Sequence, residues 1–224
     1  MIRIDHVTFT YQPDAAGGVR DIDLTIPDGQ VVVLCGESGC GKTTLTRLIN
    51  GLIPHYFEGE LSGGVTIDGS NVSQQPLYDT ARLVGSVFQN PRSQFFNVDT
   101  TSEITFGCEN LGMPREKILR RLEHTVPSLK LENLLHRSIF QLSGGEKQKI
   151  ACAGAFMMEP RVFVLDEPSS NLDADAILDL RQVIAYLKSL GKTVVLSEHR
   201  LYYLQGVADR YIYMRDGRVQ GDYT

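Results

Sequence analysis

The sequence predicts an α/β fold built on a mostly parallel sheet with helices on both faces. Two observations carry this. The runs 31–34 (VVVL), 162–165 (VFVL) and 193–197 (TVVLS) are apolar without alternation, the pattern of strands buried on both sides. Longer stretches with helical spacing separate them, so strands and helices alternate along the chain. At 224 residues the chain sits near the upper end of one domain, which argues against two independent cores. Residues 1–224 therefore read as one domain, with a helical subdomain at approximately 92–158 inside it.

In chain order, 2–10 alternates apolar and polar residues as a half-buried strand does, and 21–26 repeats the pattern. The apolar run 31–34 follows Asp28-Gly29, and a helix over 42–50 comes next, stopped by Gly51 and Pro54. Gly59, Gly63, Gly64 and Gly69 mark turns. A strand over 83–88 precedes a mostly helical stretch, 100–135. Residues 141–143 lead a helix running to about 158, followed by the strand 162–165. A helix over 174–190 ends at Gly191, and 193–197 is the third buried strand. Residues 211–214 and 218–220 pair across Asp216-Gly217 as a hairpin.

Lys and Arg number 22 against 27 Asp and Glu, a net charge of −5, and 42% hydrophobic with 22% charged residues is ordinary globular composition. That excludes a disordered chain and supplies no basic surplus for a phosphate backbone, so no nucleic-acid partner is expected. The longest nearly uncharged apolar stretch, 150–158 (IACAGAFMM), is about half the roughly 20 residues a membrane-spanning helix needs. The first residues form a strand pattern and not a leader, so a cytoplasmic location is expected. Cys35, Cys40, Cys108 and Cys152 contain no C-x-x-C pair and read as reduced thiols, not zinc ligands.

Gly36-Glu37-Ser38-Gly39-Cys40-Gly41-Lys42-Thr43 fits G-x-x-x-x-G-K-[ST], between a buried strand and a helix. From average composition that pattern arises by chance in roughly one chain in a hundred of this length, before the context is required. The glycines let backbone amides turn toward an anion, and the helix N-terminus adds its positive dipole end. Lys42 brings a point charge to β- and γ-phosphates, and the Thr43 hydroxyl can ligate Mg²⁺. Downstream, the apolar strand 162–165 ends in Asp166-Glu167, at the strand end where ligands bind in open α/β sheets. Asp166 can hold Mg²⁺ through water and Glu167 can polarise a water against the γ-phosphate. Pro168 and Ser169-Ser170-Asn171 separate these acids from the next helix, which argues against a capping role.

Leu142-Ser143-Gly144-Gly145-Glu146 resembles the signature of ATP-binding cassette (ABC) ATPases, a five-residue match expected by chance in roughly a few chains per ten thousand. Other elements resemble that family one by one. Tyr11 resembles its adenine-stacking aromatic. Gln89 resembles the glutamine that reaches Mg²⁺ and the attacking water. Ser170-Asn171-Leu172-Asp173 resembles the loop that crosses to the opposing subunit, and His199 the histidine that touches the γ-phosphate. The resemblance covers residues 2–221. It implies an ABC-type P-loop fold with an N-terminal antiparallel subdomain and a helical signature subdomain. It also implies ATP and Mg²⁺ as cofactors, with nucleotide contacts from Tyr11, from the loop Gly36 to Thr43 with Thr44, and from Asp173. Ser143, Gly144, Gly145 and Glu146 would face a nucleotide held by a second ABC domain. Thr43, Gln89 and Asp166 would serve the metal, and Glu167, His199 and Gln89 the hydrolysis.

Within the family, Asn50-Gly51-Leu52-Ile53-Pro54-His55, Phe88-Gln89-Asn90-Pro91, Gln94-Phe95-Phe96 and Glu198-His199-Arg200-Leu201 resemble the ATPases of energy-coupling factor (ECF) importers. That resemblance implies an integral membrane coupling subunit, a substrate-binding membrane subunit, and a vitamin or transition-metal ion as cargo. It places the chain at the cytoplasmic face of the membrane and marks Gln94, Phe95 and Phe96 as candidates for the coupling groove. Arg92 departs from the acidic or small polar residue expected there, and no C-terminal helical extension is present. The chain is also compatible with one half of a tandem two-cassette protein. The rival is an ABC ATPase acting on DNA or ribosomes without a membrane partner, disfavoured by the acidic balance.

Overall fold

The computed structural model describes residues 1–12 and 17–224. Ten strands are formed: β1 (Ile2–Tyr11), β2 (Gly18–Ile26), β3 (Val31–Cys35), β4 (Gly59–Ile67), β5 (Ser70–Asn71), β6 (Val84–Val87), β7 (Val162–Asp166), β8 (Thr193–Ser197), β9 (Arg210–Arg215) and β10 (Arg218–Tyr223). The helices are α1 (Lys42–Ile49), α2 (Leu52–His55), α3 (Leu77–Leu83), α4 (Thr100–Asn110), α5 (Arg115–Ser128), α6 (Gly144–Met157) and α7 (Ala174–Ser189).

The strands form two sheets. An antiparallel one runs in the order β2-β1-β4-β5, and a six-stranded one in the order β10-β9-β3-β8-β7-β6, parallel except for β10. The central strands β3, β7 and β8 of the second sheet are buried on both faces, as their unbroken apolar runs require. Val31 and Val33 of β3 enter a core shared with α6 and α7, while Val32 and Leu34 enter a second core with α1 and the antiparallel sheet. All four are fully buried. Leu34 pairs with Ser197, Asp166 with Ser197 and Val87 with Leu165, so β3, β8, β7 and β6 end along one edge. That register brings the loops after all four strands together.

Several sequence expectations change. The glycines at 59, 63 and 64 lie inside β4 instead of marking turns. Gly63 sits at φ 77 where the β1–β4 register shifts, and a Cβ there would overlap the carbonyl oxygen of Asp5. Glycine at this bulge permits the crossing of two backbones, which a composition-based reading cannot distinguish from a turn. β2 begins at Gly18 instead of 21; β6 falls within the strand expected over 83–88, and α3 before it is a helix not expected from the sequence. The stretch 100–135 is broken into α4 and α5 by Gly112, at φ 67, and Pro114, which supplies no amide hydrogen. α4 starts on Asp99, whose side chain accepts from the Ser102 amide at 3.0 Å.

Candidate active site

Between β3 and α1 the loop folds around its own lysine. Lys42 is 3% exposed, and its ammonium donates to the carbonyls of Gly36 and Glu37 at 2.9 and 3.0 Å. Gly36 is at φ 144, where a Cβ would overlap the Met214 carbonyl oxygen. Gly41, at φ 104, precedes α1 and offers no side-chain cap. The first-turn amides of α1 therefore lack a capping side chain, as a helix that receives an anion requires. Cys40 is buried, its Sγ 3.8 Å from the Lys42 ammonium.

The strand-end acids divide as their adjacent positions suggest. Asp166 Oδ1 accepts from the Thr43 hydroxyl at 3.0 Å and from the Ser197 hydroxyl at 2.6 Å. Glu167 turns the other way: Oε2 accepts from Gln89 Nε2 at 2.7 Å, and Oε1 lies 3.1 Å from His199 Nε2. The Glu167 backbone sits at φ 44, a left-handed conformation costing a non-glycine residue about 1–3 kcal/mol. Its amide is held by the Ser197 carbonyl at 3.1 Å and the Ser197 hydroxyl at 2.9 Å. Gln89, Thr43, Asp166, Glu167 and His199, read from four segments of sequence, thus form two linked clusters around Ser197. The paired oxygens of Thr43 and Asp166 suit a hard cation such as Mg²⁺. Among the described residues, the cluster with three metal-ligating side chains is Asp5, His6 and Asp23, which is exposed, and Arg3 already ion-pairs with both acids.

At α6, Ser143 and Glu146 form a reciprocal capping box: Ser143 Oγ accepts from the Glu146 amide at 3.2 Å, and Glu146 accepts from the Ser143 amide at 2.7 Å. The Ser143 amide holds the Glu146 carboxyl below its usual range, and Arg137, 2.9 Å away, adds to this. The Glu146 carboxylate is thus committed to shaping the helix start, leaving the amides of Gly144 and Gly145 at its end. Asp173 caps α7 by accepting from the Ala176 amide at 2.9 Å. Tyr11 packs edge-to-face on Phe9 and Phe57, its hydroxyl 3.2 Å from Thr44 Oγ1 and 3.1 Å from Arg47.

A model of the ABC transporter family matches residues 19–170. The chain belongs to the ABC transporter family. A Treponema denticola protein, named provisionally as an ABC transporter ATP-binding protein, is 53% identical over 222 residues, 99% of this chain and 45% of its own length. The chain thus spans about half the length of that relative. Two solved structures share the fold at 26% identity. One is cbiO1 from Clostridium perfringens, part of the ABC transporter complex cbiONQ (TM-score 0.86, covering 99% of this chain and 87% of that one). The other is the ATP-binding cassette MJ0796, a dimer in a post-hydrolysis state bound to ADP and Pi (TM-score 0.83, covering 100% and 98%).

In this ABC fold, the segment after Gln89 divides. Gln94 accepts from the Phe88 amide at 3.0 Å and Phe95 packs against the core. Phe96 is 75% exposed and stacks on Phe106, so of the three it alone presents a large apolar surface. Ser197 was not legible as a site residue. Its signal is register: it is the β8 neighbour of Asp166, and only strand pairing reveals that.

Proposed function

We propose that this chain binds MgATP and hydrolyses it as one of two cassettes, driving a membrane importer of a micronutrient, a vitamin or transition-metal ion. The observation that carries the reading is the linkage of Thr43, Asp166, Ser197, Glu167, Gln89 and His199 beside the phosphate loop. Lys42 and the uncapped amides of α1 bind and orient the phosphates. Glu167 accepts a proton from the attacking water, with Gln89 and His199 holding its carboxylate in place. Thr43 and Asp166, with Gln89 nearby, would hold Mg²⁺, which when bound would neutralise charge on the phosphate oxygens. The capping box leaves the Gly144 and Gly145 amides at the α6 N-terminus, which supports a role toward a nucleotide on a second cassette. The dimeric state of MJ0796 supports the same arrangement.

A groove of about 280 Å³ between the sheet and α4 and α6, lined by Leu52, Leu77, Phe88, Phe96, Phe106 and Met158 among others, suits an apolar segment of a membrane coupling subunit. The cbiONQ complex of the cbiO1 neighbour supports this and the ECF reading, which adds a substrate-binding membrane subunit. No helix of the described residues is long and apolar enough to cross a membrane, consistent with a peripheral place at its cytoplasmic face. We propose that residues 1–224 form one cassette, with the helical part at about 92–158, the second cassette being either another copy or a further part of a longer chain.

The test is to purify the protein through a tag from its native membranes, identify what accompanies it by mass spectrometry, and assay MgATP hydrolysis. Co-purifying integral membrane subunits establish the transport reading. Hydrolysis accompanied by ribosomes or DNA instead retains the nucleotide chemistry and overturns the import assignment.

A further inference from the structure

Glu198 lies one residue past β8 and is 2% exposed, yet among the described residues no cationic side chain forms an ion pair with it. A buried carboxylate is costly unless several donors replace water, and here four do. Oε1 accepts from the Ser169 amide at 3.0 Å and the Tyr203 hydroxyl at 2.6 Å, and Oε2 from the amides of His199 at 3.0 Å and Arg200 at 3.3 Å. The Glu198 amide is itself bonded to the Leu34 carbonyl, at the root of the phosphate loop, at 2.9 Å. Arg200 closes the bracket from the other side, its guanidinium donating to the carbonyls of Ser169 at 3.4 Å and Leu172 at 3.2 Å. Burial and the adjacent Glu198 carboxylate push the Tyr203 phenol up, so it stays a donor.

We propose that Glu198 is a positioning residue that makes the His199 segment and the 169–172 loop move as one body, so that phosphate at His199 alters the loop facing the opposing cassette. This rests on the function proposed above. The two segments are 26 residues or more apart in sequence, and two faces of one carboxylate hold them. A residue needed only to fill this space would be apolar and avoid the desolvation cost. The four-donor arrangement instead gives a rigid joint, because a shift of His199 that spared its amide bond to Oε2 would drag Oε1 and Ser169 with it.

Glu198→Gln keeps the volume but has one acceptor oxygen in place of two. Its NH₂ must face either the Ser169 or the His199–Arg200 amides, and one side of the joint is lost. The experiment is amide hydrogen exchange by mass spectrometry on the full chain, with and without Mg²⁺ and a non-hydrolysable ATP analogue. In the wild type the analogue slows exchange in both 199–204 and 169–173. In Glu198→Gln, slowing persists at 199–204 and falls about tenfold at 169–173, while analogue affinity stays within about threefold. In steady-state assays kcat falls about 10- to 100-fold with KM nearly unchanged, and the loss shrinks to less than about twofold when His199→Ala is already present.

Equal slowing of both segments in both proteins overturns the proposal, as does a kcat loss of the same size in the two backgrounds. If Glu198→Gln does not fold, Tyr203→Phe, which removes one donor and keeps the carboxylate, takes its place with the same two readouts and a smaller effect. Failure of the underlying function looks different: the wild type neither binds the analogue nor releases phosphate.

Discussion

Replacing Glu167 by Gln separates the chemistry of this site from its architecture. In the wild type the carboxylate accepts from Gln89 at 2.7 Å and meets His199 at 3.1 Å, while the backbone amide is held independently by Ser197. The substituted amide keeps the length and one acceptor oxygen, and the Ser197 anchors of the left-handed backbone do not involve the side chain. Exchanging one charge-assisted bond for a neutral one changes stability by about 1 kcal/mol. Removing the proton acceptor slows turnover by about 10²–10⁴, equivalent to about 3–5 kcal/mol of barrier. Phosphate release at saturating MgATP, thermal melting and size-exclusion chromatography with ATP measure the three quantities. The expected result is a folded protein that binds ATP, accumulates as a closed dimer and hardly turns over. Phosphate release within about threefold of wild type would show that Glu167 is not the base, and loss of ATP binding would make it a structural residue.

Lys42→Ala removes the buried ammonium, so the stabilisation ATP should give the wild type, about 2.7 kcal/mol at a hundred times Kd, disappears from a thermal-shift titration. Ser197→Ala deletes the hydroxyl between Asp166 and Glu167. It lowers stability by about 1–3 kcal/mol in denaturant unfolding and reduces kcat more than ATP affinity. The Glu146 carboxyl is held below its ordinary value of 4.5 by the Ser143 amide, so its contribution is complete above that value and lost as pH falls through the lower folded one. Unfolding of Glu146→Gln should accordingly depend less steeply on pH below about 5 than that of the wild type. Burial pushes the Cys152 thiol up to about 12 and raises those of Cys35 and Cys108, so maleimide at neutral pH labels these three slowly. Cys40 is buried as well, so the reagent reaches it only when the phosphate loop opens; loss of activity should track its slow labelling by peptide mass spectrometry, and ATP, by holding the loop closed, should slow both.

The phosphate loop, the two strand-end acids and the signature were legible because each is a contiguous run in a recognisable setting. Lys42 and Thr43 must follow Gly41 directly for the backbone to turn around an anion. Glu146 and Asp173, expected near a nucleotide, also close helix ends with their carboxylates, a use that Ser-x-x-Glu spacing and the position before Ala174 signal. The glycines of β4 misled because a bulge and a turn draw on the same residue type. Phe95 and Phe96, adjacent and chemically alike, part company in burial, which depends on what the following helices leave uncovered.

The alternation of buried strands with helices, and the residues that local geometry alone arms for phosphate, can be read from short stretches of the chain. Their information lies within a few bonds, in the conformational freedom of glycine, the exposed amides at a helix start and the apolar length of a strand. Which distant residues meet depends on how the strands pack. Ser197 joins Asp166 to Glu167, and Glu198 ties His199 to the 169–172 loop, because parallel strands bring their ends into register. That register is set by packing two faces of one sheet, an interaction that no local stretch of the chain contains.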